Sequence, residues 1–215
     1  MEMEPRQPVP VFPLPNVVLF PHAVVPLHVF ELRYRTLVRD ALAGERLIAL
    51  ALLKPGWESE YHGSPAFHDL GCLARFEEVE WLPDGCYDLK LLGLSRVRLG
   101  APLREFPYRA VRVEILPEAP YPEDDPVVTS ERRGLLDLYG RIVSGAECHV
   151  DSFRSSDDLP FVSLVNTVCM VAPLEAEERL GLLALDSIVE RGHRVGELAA
   201  SRLRPGGPSG RGEHN

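Results

Sequence analysis

The side chains of this chain that could hold a metal or drive covalent chemistry are four cysteines, seven histidines and scattered carboxylates, and their spacing argues against both uses. Cys72, Cys86, Cys148 and Cys169 form no CxxC pair; the adjacent Cys148 and His149 do not chelate together easily, and His62, His68 and His193 lack the intervals of zinc ligands. Cys72 and Cys169 lie in apolar patterns and read as core thiols. No HExxH helix occurs, and Gly207-Pro208-Ser209-Gly210 lies in a low-complexity tail unsuited to a nucleophile elbow. The run Glu123-Asp124-Asp125 lacks the glycine and spaced ligands of a calcium loop. His28, Glu31 and Arg33 stand close together in a distinctive stretch. Glu31, however, is expected in the first turn of a helix, where the dipole favours a carboxylate by about 0.3–1 kcal/mol, and Arg33 is expected to pair or face water. The expectation is therefore a non-enzymatic protein with no catalytic residue, no metal and no cofactor.

Binding is the remaining kind of function, and aromatic side chains are its candidates. The segment GWESEYHGSPAFHD, from Gly56 to Asp69, has no hydrophobic period and reads as a long loop displaying Trp57, Tyr61 and Phe67. Trp81, on a neighbouring strand, joins them as a candidate polypeptide contact, although each could equally fold back into the core. Charge disfavours a polyanionic partner: the formal net charge is −9, and it is concentrated beyond residue 117. No run of apolar residues is long enough to span a bilayer, and the acidic start MEMEPRQP has no signal core, so a cytoplasmic protein is expected. Reduced thiols are expected with it.

These candidates need a scaffold, and its elements can be read in order. Prolines 13, 15, 21 and 26 punctuate an apolar ribbon, forbidding a helix and confining strands to edges or bulges. From Glu31 the period becomes helical, with Tyr34, Leu37, Val38, Ala41 and Leu42 on one face until Gly44. Leu47 to Leu53 is an unbroken apolar run, which predicts a buried strand. Pro83-Asp84-Gly85 predicts a hairpin turn between alternating runs, with a bulge at Glu77-Glu78 where the parity reverses and a bend at Gly93. Tyr108 to Ile115 is a further strand. The proline-rich acidic segment 116–126 then separates a β-rich part, residues 1–117, from a helical part, residues 118–204. Thr129 or Ser130, Asp158 with Pro160, and Asp186 are expected to open helices there, and 205–215 is expected to be a disordered tail. The fold class is α+β: a bent, barrel-like sheet with one early helix, followed by a helical bundle.

Three separated motifs carry a resemblance. FPLPNVVLFPHAVVPLHVFELRYRTLV resembles the opening signature of the amino-terminal substrate-binding domain of Lon proteases, the LON domain, which has a PUA-like barrel and also occurs in cereblon. GCLARFEEVEWLPDGCYDLKLLGLSRVRL is similar to its second block, and LGLLALDSIVERGHRVGEL to its helical part. The resemblance spans roughly residues 9–203. It implies a PUA-like fold that binds unfolded or partner polypeptides, as an adaptor in protein quality control or proteolysis. Lon proteases continue into an ATPase with a phosphate-binding loop and a protease with a Ser–Lys dyad. Lys54 and Lys90 lie in no such setting, so a stand-alone LON-domain protein is expected. PUA-like relatives also bind RNA, which makes an arginine stripe of Arg96, Arg98, Arg109 and Arg112 the alternative; Asp88 and Glu114 would interrupt its field.

Overall fold

The computed structural model describes residues 5–60, 63–145 and 159–203. The prolines leave the amino-terminal ribbon as two short strands, β1 (Val9–Leu14) and β2 (Val24–Val29), and helix α1 (Leu32–Ala43) follows with Tyr34, Leu37, Val38 and Ala41 buried. Next come β3 (Leu47–Leu53), a single 3-10 turn at Trp57–Glu60, and three strands, β4 (Phe67–Trp81), β5 (Tyr87–Arg104) and β6 (Ala110–Leu116). The six-stranded sheet has the order β2-β5-β4-β3-β1-β6, and β5 also pairs with β6. That last pairing closes β1, β3, β4, β5 and β6 into a small barrel. β2 stays outside it, held on the first half of β5 from Val24 opposite Leu92 to Val29 opposite Tyr87.

Closure explains why LIALALL is apolar throughout. One face of β3 (Leu47, Ala49, Ala51) fills the barrel interior with Val9, Val11, Leu73, Val97, Leu99 and Val111. Its other face (Ile48, Leu50, Leu52) joins a larger core shared with α1, β2 and the helices after residue 125. A strand covered on both sides has no need of polar alternation. The expected hairpin turns at Gly85, whose φ of +81° suits glycine. The β4–β5 register shifts between Phe76 and Glu78, as the parity reversal predicts, and again between Leu73 and Ala74. At the second shift Gly93 approaches the main chain so closely that a Cβ would lie 2.2 Å from the carbonyl oxygen of Phe20. Glycine is required there to let the ribbon cross β5.

The helical part contains α2 (Pro126–Gly145), α3 (Phe161–Val171), α4 (Ala176–Leu183) and α5 (Ile188–Arg202). Two helix starts differ from expectation. α2 opens at Asp125-Pro126, a turn before Thr129, with the Asp125 carboxylate accepting from the Val127 amide at 2.7 Å. Proline is suited to a first helical position because that position needs no amide hydrogen bond. α5 is capped by the Ser187 hydroxyl, which accepts from the Glu190 amide, and Asp186 is released for another task. That task is in a polar seam between sheet and helices. Arg96 of β5 donates from Nη2 to Asp186 at 2.9 Å and to the Pro117 carbonyl, and from Nη1 to the Leu183 carbonyl. Arg191 of α5 holds both oxygens of Glu118 at 3.0 Å, together with Asn166 and the carbonyls of Leu182 and Leu185. Asn166 completes the seam by donating to the carbonyl of Pro21.

The arginine stripe does not form. Arg96 is 1 % exposed, because the helices cover the face of β5 that the sequence leaves apparently free. Arg98 pairs with Glu114 at 2.9 Å, and Arg109 lies over the ring of Phe67 at 4.3 Å. The expected tail at 205–215, the Cys148-His149 pair and Asp158 lie outside the described residues.

Candidate functional site

A furrow runs along one side of the barrel where β1 loses its neighbour. β6 pairs only with Val9 and Pro10 of β1, while β3 holds the other edge from Val11 to Leu14. From Phe12 onward the outer edge of β1 is therefore open, and Pro13 and Pro15 remove amide donors from that region of the chain. Opposite it stand the start of α1 and the β5–β6 turn. A first recess of about 210 Å³ lies among Pro13, Pro15, Phe30, Arg33 and Tyr34. It shares Pro13, Arg33 and Tyr34 with a second, of about 150 Å³, that adds Ser64, Phe106 and Arg109. Tyr108 links the second to a third, of about 330 Å³, beside Asp40, Leu103 and Arg104.

The furrow keeps large apolar side chains in water. Phe30 is 61 % exposed and Phe106 is 78 % exposed, with Leu103 also exposed on the wall and Leu32 exposed beside Phe30. Phe30 closes the apolar ribbon. It precedes the N-cap Glu31, so it sits where the chain turns from strand to helix, and it stacks on His28 with ring centres 6.2 Å apart. His28 is itself held by Asp88, Nδ1 to Oδ1 at 2.7 Å. Glu31 is the cap residue, just ahead of the first turn where it was expected. Its carboxylate makes no cap bond and instead accepts from Arg33 Nε at 3.0 Å. Arg33 then reaches the Gly63 carbonyl at 3.1 Å and lies over the Tyr34 ring, which packs on Phe12. His28, Glu31 and Arg33 thus serve as braces of the furrow. At the far end Tyr108 donates to Asp40 at 2.9 Å. Burial pushes the Asp40 carboxyl upward, but hydrogen bonds from Tyr108 and Arg39 and the charges of Arg39 and Arg104 outweigh it, so the group titrates below the usual aspartate value.

The aromatic candidates are dispersed. Trp57 is half-buried in the 3-10 turn, and Tyr61 lies outside the described residues. Phe67, half-buried at the start of β4, pairs with Leu53, packs on the barrel interior and carries the Arg109 guanidinium. Trp81 is 72 % exposed at the opposite end of β4. β4 has 15 residues, so at about 3.3 Å per residue its ends are roughly 45 Å apart along the strand. Trp81 and Phe67 therefore share no recess. The loop that carries Trp57 does reach the furrow, through Gly63 and Ser64. Phe30, Leu103 and Phe106 were passed over because nothing in their local pattern separates an exposed phenylalanine or leucine from a buried one. The signal that could have found the last two is their position around a proline-bearing turn, Glu105-Phe106-Pro107.

Cys72 and Cys169 are fully buried, and burial pushes each thiol up to about 12, which suits core residues and not nucleophiles. Among the described residues no group of three His, Cys, Asp or Glu side chains could hold a metal ion, and no helix is long and apolar enough to cross a membrane.

The family model described as the ATP-dependent protease La (LON) substrate-binding domain matches residues 8–201. The chain belongs to this family. Among its relatives, Lon protease 2 of Herpetosiphon aurantiacus is 29 % identical over 196 residues, which are 90 % of this chain and 24 % of that protein. Lon protease of Flavobacterium johnsoniae is 27 % identical over 194 residues, 85 % of this chain and 22 % of the relative. The LON domain described here thus spans about a quarter of the length of the curated relatives it matches. The N-terminal domain of the Mycobacterium avium complex Lon protease superposes with a TM-score of 0.70 at 19 % identity, covering 92 % of this chain and 100 % of that one. A Lon N-terminal domain protein from Xanthomonas campestris gives 0.63 at 24 % identity, over 93 % of this chain and 99 % of its own. These likenesses establish the fold, α+β with, among the described residues, a six-stranded mixed sheet and five α-helices. The matched family is the substrate-binding domain of the protease, which is distinct from its ATPase and proteolytic parts.

Proposed function

We propose that this LON domain binds extended segments of unfolded or partner polypeptides in the furrow beside β1, and that it does so as an adaptor without hydrolysing them. The observation that carries the reading is the pair Phe30 and Phe106, two phenylalanines held in water on either side of recesses that share Pro13, Arg33 and Tyr34. Exposed aromatic rings bordering a furrow are the usual anchors of peptide recognition, because they remove large apolar areas from water on binding. The loop through Gly63 and Ser64 forms one wall, and Trp57, earlier in the same loop, is proposed to border it, while Trp81 would serve a separate contact. The adaptor role is supported by the family match, which falls on a substrate-binding domain.

The test is binding of a fluorescently labelled, denatured model polypeptide, followed by anisotropy. The wild-type domain should bind at micromolar concentration with a weak dependence on salt, and a Phe30→Ser, Phe106→Ser variant should lose roughly tenfold or more of that affinity. Unchanged affinity in the folded double variant rules out the furrow. A steep loss of affinity for RNA with salt, without polypeptide binding, would replace the reading by nucleic-acid recognition. Hydrolysis of peptide or ATP by the purified chain would end the adaptor reading.

A further inference from the structure

We propose that the middle recess of the furrow selects an acidic residue, so that the preferred ligand is an extended segment carrying an internal Asp or Glu flanked by apolar side chains; this rests on the furrow being the binding site. The reason is Arg109. Arg33, Arg96, Arg132 and Arg191 are all partly or wholly withdrawn from water, and each meets a carboxylate, on Glu31, Asp186, Glu123 and Glu118 respectively. Arg109 is also half-buried, yet its guanidinium makes no hydrogen bond and no ion pair among the described residues, and it lies over the face of Phe67 at 4.3 Å. Its nitrogens are not sealed in, because among the described residues the only fully buried side-chain nitrogen without a hydrogen bond is Nε of Arg96, which faces Glu118 at 3.3 Å. Burial lowers the Arg109 pKa from the usual arginine value, and the charge of nearby Glu105 offsets only part of that loss of solvation. A carboxylate entering this recess would meet a planar donor already fixed by ring stacking, the arrangement that makes arginine effective at bidentate recognition.

The surroundings define the rest of the ligand. Arg33 lines the same recess with its charge committed to Glu31, and Glu105 lines it as a competing carboxylate. On either side the furrow continues, toward Phe30 in one direction and toward Leu103 and Tyr108 in the other. A chain that fills both arms must pass through the middle recess, which calls for a side-chain carboxylate and not a chain end. In a protein of net charge −9 an acidic ligand is disfavoured at long range, so the preference depends on this local cation.

The test uses two amidated peptides, Leu-Phe-Ala-Asp-Ala-Phe-Leu and its Asn counterpart, with anisotropy at low salt. The wild-type domain should bind the Asp peptide about tenfold more tightly than the Asn peptide. Arg109→Gln should bring the two within about twofold of each other, chiefly by weakening the Asp peptide, and Glu105→Gln should widen the preference. Circular dichroism would verify that both variants fold. Equal binding of the two peptides by the wild type overturns the acidic preference and leaves the furrow standing; a preference that survives Arg109→Gln assigns it to another residue and also overturns it. Failure of the wild type to bind either peptide removes the furrow and the preference together. If a free C-terminal carboxylate binds as well as the internal Asp, the recess holds a chain end and the internal-residue assignment is wrong.

Discussion

The seam between sheet and helices and the furrow beside β1 are built from similar residue types, and they use them in opposite ways. In the seam Arg191 is fully buried and spends its guanidinium on Glu118, Asn166 and the carbonyls of Leu182 and Leu185. In the furrow Arg109 is half-buried with a ring beneath it and no ion pair among the described residues, although Glu105 lines the same recess. The seam covers its aromatic residue, Phe20, whereas the furrow leaves Phe30 and Phe106 in water. Saturated polar groups inside a low-dielectric contact lock one arrangement of the chain. Unsaturated groups beside exposed rings leave interaction energy for a ligand. The difference separates what holds this fold together from what it can offer a partner.

The largest test of that contrast is Arg191→Met. If the seam is scaffold, removing the guanidinium leaves Glu118 with only Arg96, 3.3 Å from Nε, takes the donor from Asn166 and the Leu182 and Leu185 carbonyls, and should cost about 3–5 kcal/mol in urea unfolding. Adding Glu118→Gln should recover part of the loss, since a carboxylate left with a single partner loses its charge. A cost under about 1 kcal/mol for Arg191→Met would mean that the seam is incidental to stability. A smaller effect is expected from Tyr108→Phe at the far end of the furrow. The Asp40 carboxyl has a folded pKa below its unfolded value, so its contribution to stability is present above the unfolded aspartate pKa near 4 and is lost as pH falls through the lower, folded pKa. Asp40 is more than a third exposed, so after solvent screening the difference between wild type and Tyr108→Phe should stay below about 1 kcal/mol at neutral pH. It should shrink further in unfolding curves taken below pH 4, and a difference that grows on acidification would refute the assignment. The smallest stability effect belongs to Phe30→Ser with Phe106→Ser, within about 0.5 kcal/mol each, because exposed side chains contribute little to folding. A thermal shift of several degrees would show these rings to be structural and would blur the two regions.

Much of this molecule is legible locally. The Leu47–Leu53 run, the Pro83-Asp84-Gly85 turn, the bulge at Glu77-Glu78 and the buried stripe of α1 all follow from patterns a few residues long, and all are present in the fold. The motifs in the ribbon and the hairpin also carried the family, which the match over residues 8–201 establishes. The candidate site was far less legible. Arg96 resembles any other arginine on an alternating strand, and its partners Leu183 and Asp186 lie 87 and 90 positions away. Phe30 has the composition of a core residue, and only the turn into α1 leaves it outside. Asp186 looked like a helix cap, but Ser187 took that role, and the freed carboxylate became a ligand of Arg96.

The sequence by itself determined the elements and their order, because helix, strand and turn preferences depend on side-chain spacing and backbone sterics within a short window. Tertiary structure alone decided which arginine is saturated and which is open, and which phenylalanine is covered and which is not. Burial and pairing are set by groups brought together from distant parts of the chain, and the function proposed for the furrow depends on those two properties.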